Sequence, residues 1–297
     1  MSIMKFARRR EDKALGLLAR AAALTTFATL FFIIVYILVK GLPDLKPSLF
    51  EVNYNTTNVS LFPALITTLM TVVLALSIAV PLGVATAIYL VEYARRGSPH
   101  VRLVRVMTET LASIPSIVYG LFGAIFFTVW LGWGISLLAG SATLAIMILP
   151  LIIRTTEEGL KAVPDSYREG AFGLGAGRLR TVFRIVLPSA APAILSGVIL
   201  SVGRIVGETA ALIYTAGTMA QIPTTPLRSG RTLAIHMYAL SSESLYTGQA
   251  YATAVVLLAV VIGINALSSL VAKKLTTGND NQVDKPKPSA RRVVGSG

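Results

Sequence analysis

Ser201–Val202–Gly203–Arg204–Ile205–Val206–Gly207–Glu208–Thr209–Ala210 sets an arginine and a glutamate four positions apart inside an otherwise apolar stretch. On an unbroken helix that spacing puts both charges on one face, where they can pair, with Gly203 and Gly207 on an adjoining strip open to close helix approach. The guanidinium carries five donors in a rigid planar fork that suits an oxyanion, phosphate above all, and it excludes a cation pathway. Glu208 would compensate Arg204 when no anion is present and keep binding weak enough for release. The competing reading is a buried ion pair that only fixes helix packing; replacing such a pair with apolar residues is often neutral for stability, which favours a further task.

A second group of polar side chains precedes it. Ser113, Ser116 and Tyr119 flank Pro115, which removes a backbone hydrogen bond and can turn carbonyls toward an internal cavity. The serine hydroxyls could donate to an anion in transit, or bond back to their own helix. Glu109 at the mouth of this segment is expected to pair with Arg105 four residues earlier. His100 and His236, the only histidines, have no companions at metal-ligand spacing, and the chain has no cysteine.

The third candidate is the polar stretch 154–188, containing Val163–Pro164–Asp165–Ser166–Tyr167–Arg168–Glu169–Gly170–Ala171. Pro164 suits a helix start, and Gly173, Gly175 and Gly177 mark a turn before a second helix carrying Arg178, Arg180 and Arg184. Helix, bend, helix is the expected form; the alternative is a solvated loop.

These groups must be positioned by membrane-spanning helices. Of 297 residues, 54% are hydrophobic and 14% charged, and the apolar residues lie in long blocks. About 20 apolar residues cross a bilayer, and six runs qualify: Ala21 to Val39, Leu61 to Val91, Leu111 to Trp133, Ile135 to Ile153, Ala190 to Tyr214 and Ala250 to Val271. The second is long enough to tilt or to break at Pro81–Leu82–Gly83, and Gly132 to Gly134 forms a tight hairpin between the third and fourth. A charge in the middle of the fifth run costs roughly 2.5 to 3.5 kcal/mol, so Arg204 should face an interior path.

Of the 27 Lys and Arg, 22 fall in residues 1–20, 92–106, 154–188 and 273–297, and only Lys40, Lys46, Arg228 and Arg231 fall in the opposite loops. The positive-inside rule therefore places both termini in the cytoplasm, and the formal charge of +13 needs no nucleic-acid partner. The domains are a basic cytoplasmic N-terminus over 1–20, a six-helix transmembrane unit over 21–272 and a polar tail over 273–297, expected to be disordered from Thr276. The external segment 216–249 should carry a short helix over Thr232 to Leu240.

Glu169–Gly170–Ala171, then Gly175, then Ile185–Val186–Leu187–Pro188 resembles, at matching spacing, the signature of type I ABC-importer permeases, with Gly170 in place of an alanine. That resemblance implies an all-α fold with a cytoplasmic coupling helix, in which Glu169, Gly170, Ala171 and Gly175 dock on a separate ATPase. Arg204 followed by Gly207–Glu208–Thr209–Ala210, together with Ser113–Ile114–Pro115–Ser116–Ile117–Val118–Tyr119–Gly120, is similar to the membrane subunits of the high-affinity phosphate importer, nearer the PstA-type than the PstC-type. The resemblance implies a PstC-type second permease, two copies of a PstB-type ATPase binding ATP and Mg, and an extracytoplasmic PstS-type phosphate-binding protein, in a bacterial cytoplasmic (inner) membrane. No cofactor is expected in this chain: Gly173–Leu174–Gly175–Ala176–Gly177 lacks the lysine of a phosphate-binding loop. An importer of another oxyanion or small solute is the alternative; a secondary transporter should show a repeat and more intramembrane carboxylates, and no nucleophile–base constellation points to an enzyme.

Overall fold

The computed structural model describes residues 2–95, 97–242 and 246–283, and among them every regular element is helical. We label the helices α1 (Ser2–Gly41), α2 (Phe62–Tyr93), α3 (Pro99–Ser113), α4 (Ser116–Trp130), α5 (Leu137–Ala162), α6 (Asp165–Gly173), α7 (Arg178–Val206), α8 (Ala210–Ile213), α9 (Leu233–Ser242) and α10 (Thr247–Val283). Among the described residues, five stretches are long and apolar enough to cross a membrane: Leu15–Asp44, Phe62–Tyr93, Leu137–Ala162, Arg178–Val206 and Thr247–Leu267. Taken together, α3 and α4 make a sixth, bent by 102°.

Helices satisfy their own backbone groups, the condition for lying in hydrocarbon. Polar side chains in the spans follow the same logic. The hydroxyls of Thr67, Thr68 and Thr71 donate to the carbonyls of Pro63, Ala64 and Thr67 at 2.9, 2.7 and 2.7 Å, so a threonine-rich start to α2 leaves none of these donors unmet.

The core is built around α5, which packs against α2 on one side and α7 on the other. Its apolar window is 72% buried within the chain, against none of the window in α1. Leu144, Met147, Ile148 and Ile152 of α5 meet Val72 and Ala75 of α2 and Val202 and Ile205 of α7. Small residues permit this closeness: a Cβ on Gly83 would stand 2.7 Å from Ile152, and one on Gly197 would overlap the Thr155 side chain. Peripheral α1 contacts α10, with Tyr36 edge-on to Tyr251.

Several expected boundaries are corrected. The helix of the first span already begins at Ser2, so residue 20 marks a change of composition and not a break. Pro81 sits inside an intact α2. The third span is not continuous, because the residue before a proline is driven out of helical backbone: Ile114 is extended (φ −70°, ψ 131°), and the chain turns there. The fifth begins at Arg178 and ends at Val206, short of Tyr214. The tail expected to be disordered from Thr276 is helical through Val283, continuing α10, while 284–297 lie outside the described residues. The hairpin is as expected, with Gly132 and Gly134 at φ 69° and 63°, as is the external helix, here α9.

Candidate translocation and coupling sites

Gly207 caps α7: its N–H bonds the Gly203 carbonyl at 3.3 Å, and the Glu208 N–H bonds that of Ile205 at 3.2 Å. The chain restarts as α8 after Thr209. Arg204 and Glu208 thus lie on opposite sides of a break, not on one helical face. Among the described residues no carboxylate lies within 4.0 Å of Arg204, so the expected pair is absent. Each charge is held by a helix end instead. Arg204 occupies the last turn of α7, where the unpaired carbonyls favour a cation. The Glu208 carboxylate accepts from the Ala211 N–H at 3.1 Å, in the first turn of α8. Glu208 is half-buried, and the Arg204 side chain lies open on the surface of the isolated chain. Among the described residues no other helix of this chain packs on the expected glycines: nothing lies within 4 Å of a Cβ on Gly203, and on Gly207 only the Gly203 carbonyl at 3.7 Å.

The bend between α3 and α4 faces this break. Gly120 of α4 packs on Ala211 of α8, leaving no room for a side chain. Tyr119, buried beside it, lies within electrostatic range of Arg204. Ser113 is exposed and bonds back to the Thr110 carbonyl at 2.7 Å, the less functional of its two readings. Ser116 opens α4 and is half-buried. The structure thus brings α4, through Tyr119 and Gly120, against Arg204 and α8. Glu109 does not take Arg105: that guanidinium bonds Glu157 of α5 at 2.5 Å, and Lys161 bonds the same carboxylate at 2.6 Å. A partner 52 residues away in sequence outcompetes the local one because it lies in a better-buried place, Glu157 being 11% exposed.

The second site is α6, its bend and the start of α7. The helix ends in paired capping bonds: Ala176 N–H to Ala171 carbonyl at 3.0 Å, and Gly175 N–H to Phe172 carbonyl at 2.9 Å. That closure requires left-handed backbone at Gly175, where φ is 80°. The motif glycine is therefore a helix stop. Glu169 and Gly170 point outward, as do Tyr167, Phe172 and Leu174, the last 91% exposed. Ala171 does not share that surface: at 5% exposure it faces the protein's own interior, which corrects its expected docking role.

Sequence reasoning missed what anchors this helix. Arg168 donates to Glu92, at the end of α2, from Nη2 at 2.7 Å and Nε at 3.1 Å. It also donates to the carbonyls of Leu160 and Val163 at 2.9 and 2.8 Å. Nothing in the sequence announces a contact across 76 positions, although an arginine beside the motif and a glutamate closing an apolar run were both visible.

The described residues thus form a multi-span helical membrane protein with a bent span, a span interrupted beside Arg204, and a short helix with an exposed outer face between two spans. The chain belongs to the binding-protein-dependent transport system inner membrane component family, whose model matches residues 79–277. It is similar to the phosphate transport system permease protein PstA of Yersinia pestis, at 31% identity over 90% of this chain and 92% of that one. It is 38% identical to the protein of that name from Mycobacterium leprae, over 69% of this chain and 67% of the relative. It is 33% identical to the probable ABC transporter permease YqgI of Bacillus subtilis, over 67% and 74%. Its fold resembles solved type I importers: a bacterial transporter of the acidic polysaccharide alginate (TM-score 0.59, 16% identity, 84% of this chain and 95% of that one) and inward-facing MetNI, a methionine transporter (0.58, 20%, 72% and 94%). The protein is a multi-pass permease of the cytoplasmic membrane.

Proposed function

We propose that this chain is a PstA-type permease subunit of an ATP-driven importer that carries inorganic phosphate across the cytoplasmic membrane. The observation that supports this most is Arg204, an exposed guanidinium with no carboxylate partner among the described residues, at an interruption of an apolar span. A charge there is expensive unless it has work to do, and its planar fork matches phosphate oxygens. The names of the relatives agree with that chemistry. In this reading a PstC-type permease completes the pathway, and a PstS-type protein delivers phosphate at the face bearing α9. Two PstB-type ATPases, which bind ATP and Mg, grip α6 and its counterpart at the cytoplasmic face through Glu169 and the exposed Tyr167, Phe172 and Leu174. Closing the ATPase pair draws the coupling helices together and re-tilts the spans.

Uptake of labelled phosphate by the assembled complex tests the reading. Arg204→Lys keeps the charge and loses the fork, so uptake should fall sharply while the ATPase still co-purifies. Wild-type uptake by that variant removes Arg204 from the pathway. Sulfate competing as well as phosphate in the wild type transfers the assignment to a broader oxyanion importer.

A further inference from the structure

The guanidinium of Arg168 ties one short helix to the ends of two long ones. Its bonds to Glu92 reach the last turn of α2, and its bonds to the Leu160 and Val163 carbonyls reach the last turn of α5 and the residue that follows it. The pair is well enclosed, Glu92 being 8% and Arg168 14% exposed at the side chain. Only Val163 and Pro164 separate α5 from α6, and the proline ring holds its own φ. Glu92 belongs to a π-helical stretch, Tyr89–Tyr93, a distortion that recurs at functional sites. A second strut runs alongside, with Arg178 of α7 stacked 5.1 Å above the Tyr93 ring. One residue after Arg168, Glu169 points outward.

We propose that Arg168 and Glu92 are positioning residues that make α6 move as one piece with the ends of α2 and α5, so that displacement of α6 reaches the spans without loss. This rests on the reading of the chain as a subunit of an ATP-driven importer. Without the pair, α6 retains its covalent link to α5 and its outward surface, so an ATPase still docks. What is lost is the direct hydrogen-bonded tie from α6 to the end of α2, and with it the efficient exchange of state between receptor and ATPase.

The test uses the complete complex in proteoliposomes with the loaded binding protein. Glu92→Ala should leave ATPase recovery and basal ATP hydrolysis near wild type. The increment in hydrolysis caused by loaded receptor should fall about tenfold together with uptake, within the usual range of coupling between sites. Glu92→Gln, which keeps an acceptor oxygen before the guanidinium, should retain more of both. An assembled Glu92→Ala complex with the wild-type ratio of stimulated to basal hydrolysis overturns the proposal. If Glu92→Ala does not assemble, the otherwise native chain decides: spin labels at Tyr89→Cys and Ser166→Cys should keep one separation in nucleotide-free and nucleotide-trapped complexes. A change approaching one helical turn, ~5 Å, overturns it. Stimulation by a receptor loaded with another solute refutes phosphate and leaves the pair standing. A native chain that recruits no ATPase refutes both.

Discussion

The Tyr119 hydroxyl donates to the Leu111 carbonyl at 2.6 Å, joining the two arms of the bent α3–α4 unit across Pro115. A proline at a bend frees carbonyls that hydrocarbon cannot satisfy, and here a side chain from the next helix supplies a donor. Tyr119→Phe keeps the ring and removes the bond. It should lower stability by about 1 kcal/mol, read as an earlier unfolding transition of the purified complex. An unchanged transition would mean that the bend holds by packing alone.

Glu208 serves as an acceptor at the start of α8, and its charge is not matched to Arg204. Glu208→Gln keeps the acceptor and should be tolerated, while Glu208→Ala should cost about 1 kcal/mol, as for loss of a helix cap. A Gln variant that loses 3 to 5 kcal/mol in a denaturant titration would restore the broken ion pair as the better description.

Two glycines of the coupling motif should respond oppositely to alanine. Nothing lies within 4 Å of a Cβ on Gly170, in the middle of α6, so Gly170→Ala should stabilise that helix by up to about 1 kcal/mol. Gly175 at φ 80° should lose about 1 to 2 kcal/mol on the same change. Hydrogen exchange over α6 separates the two; equal protection in both variants contradicts the capping geometry.

His236 in α9 is fully buried, and burial first, then the adjacent Arg231 charge, lowers its pKa from 6.5 to about 3. The folded chain therefore holds this imidazole neutral where an unfolded chain would protonate it. The contribution is intact above pH 6.5 and is lost as pH falls toward 3, by at most about 1.4 kcal/mol per pH unit. His236→Gln should flatten that part of the stability–pH curve. A native curve already flat between pH 6 and 4 rejects the burial argument.

Orientation is accessible because the chain has no cysteine. Ser242→Cys, at the end of α9, should react with an impermeant thiol reagent in intact cells, and Ser98→Cys, just before α3, only after permeabilisation. The opposite pattern inverts the topology drawn from the basic residues.

The spans were readable because a bilayer imposes length and apolarity on any helix that crosses it, and the coupling helix because proline and glycine punctuate it. Long-range pairing was not readable. Helical spacing offers Glu109 to Arg105, yet the fold brings Glu157 of α5 within 2.5 Å of it. Arg204 and Glu208 do not share a face for a local reason: Gly207 between them is a natural helix stop, and i to i+4 geometry ends there. Likewise Ile114–Pro115 announced an extended residue but not the 102° that follows. Ala171, inside the motif, could not be told from its outward neighbours without knowing which side of α6 faces the bundle.

The short connection between α5 and α6 has a geometric consequence. With 26 residues, α5 is about 39 Å long, so a ~3 Å displacement of its Ala162 end corresponds to a tilt of only ~4°. At that angle the contact of Gly83 with Ile152 slides by less than the width of a methyl group and does not have to come apart. A tilt of that size therefore leaves the close-packed centre of the molecule intact, because α5 can swing about its Leu137 end as one stiff rod while its glycine contacts stay closed.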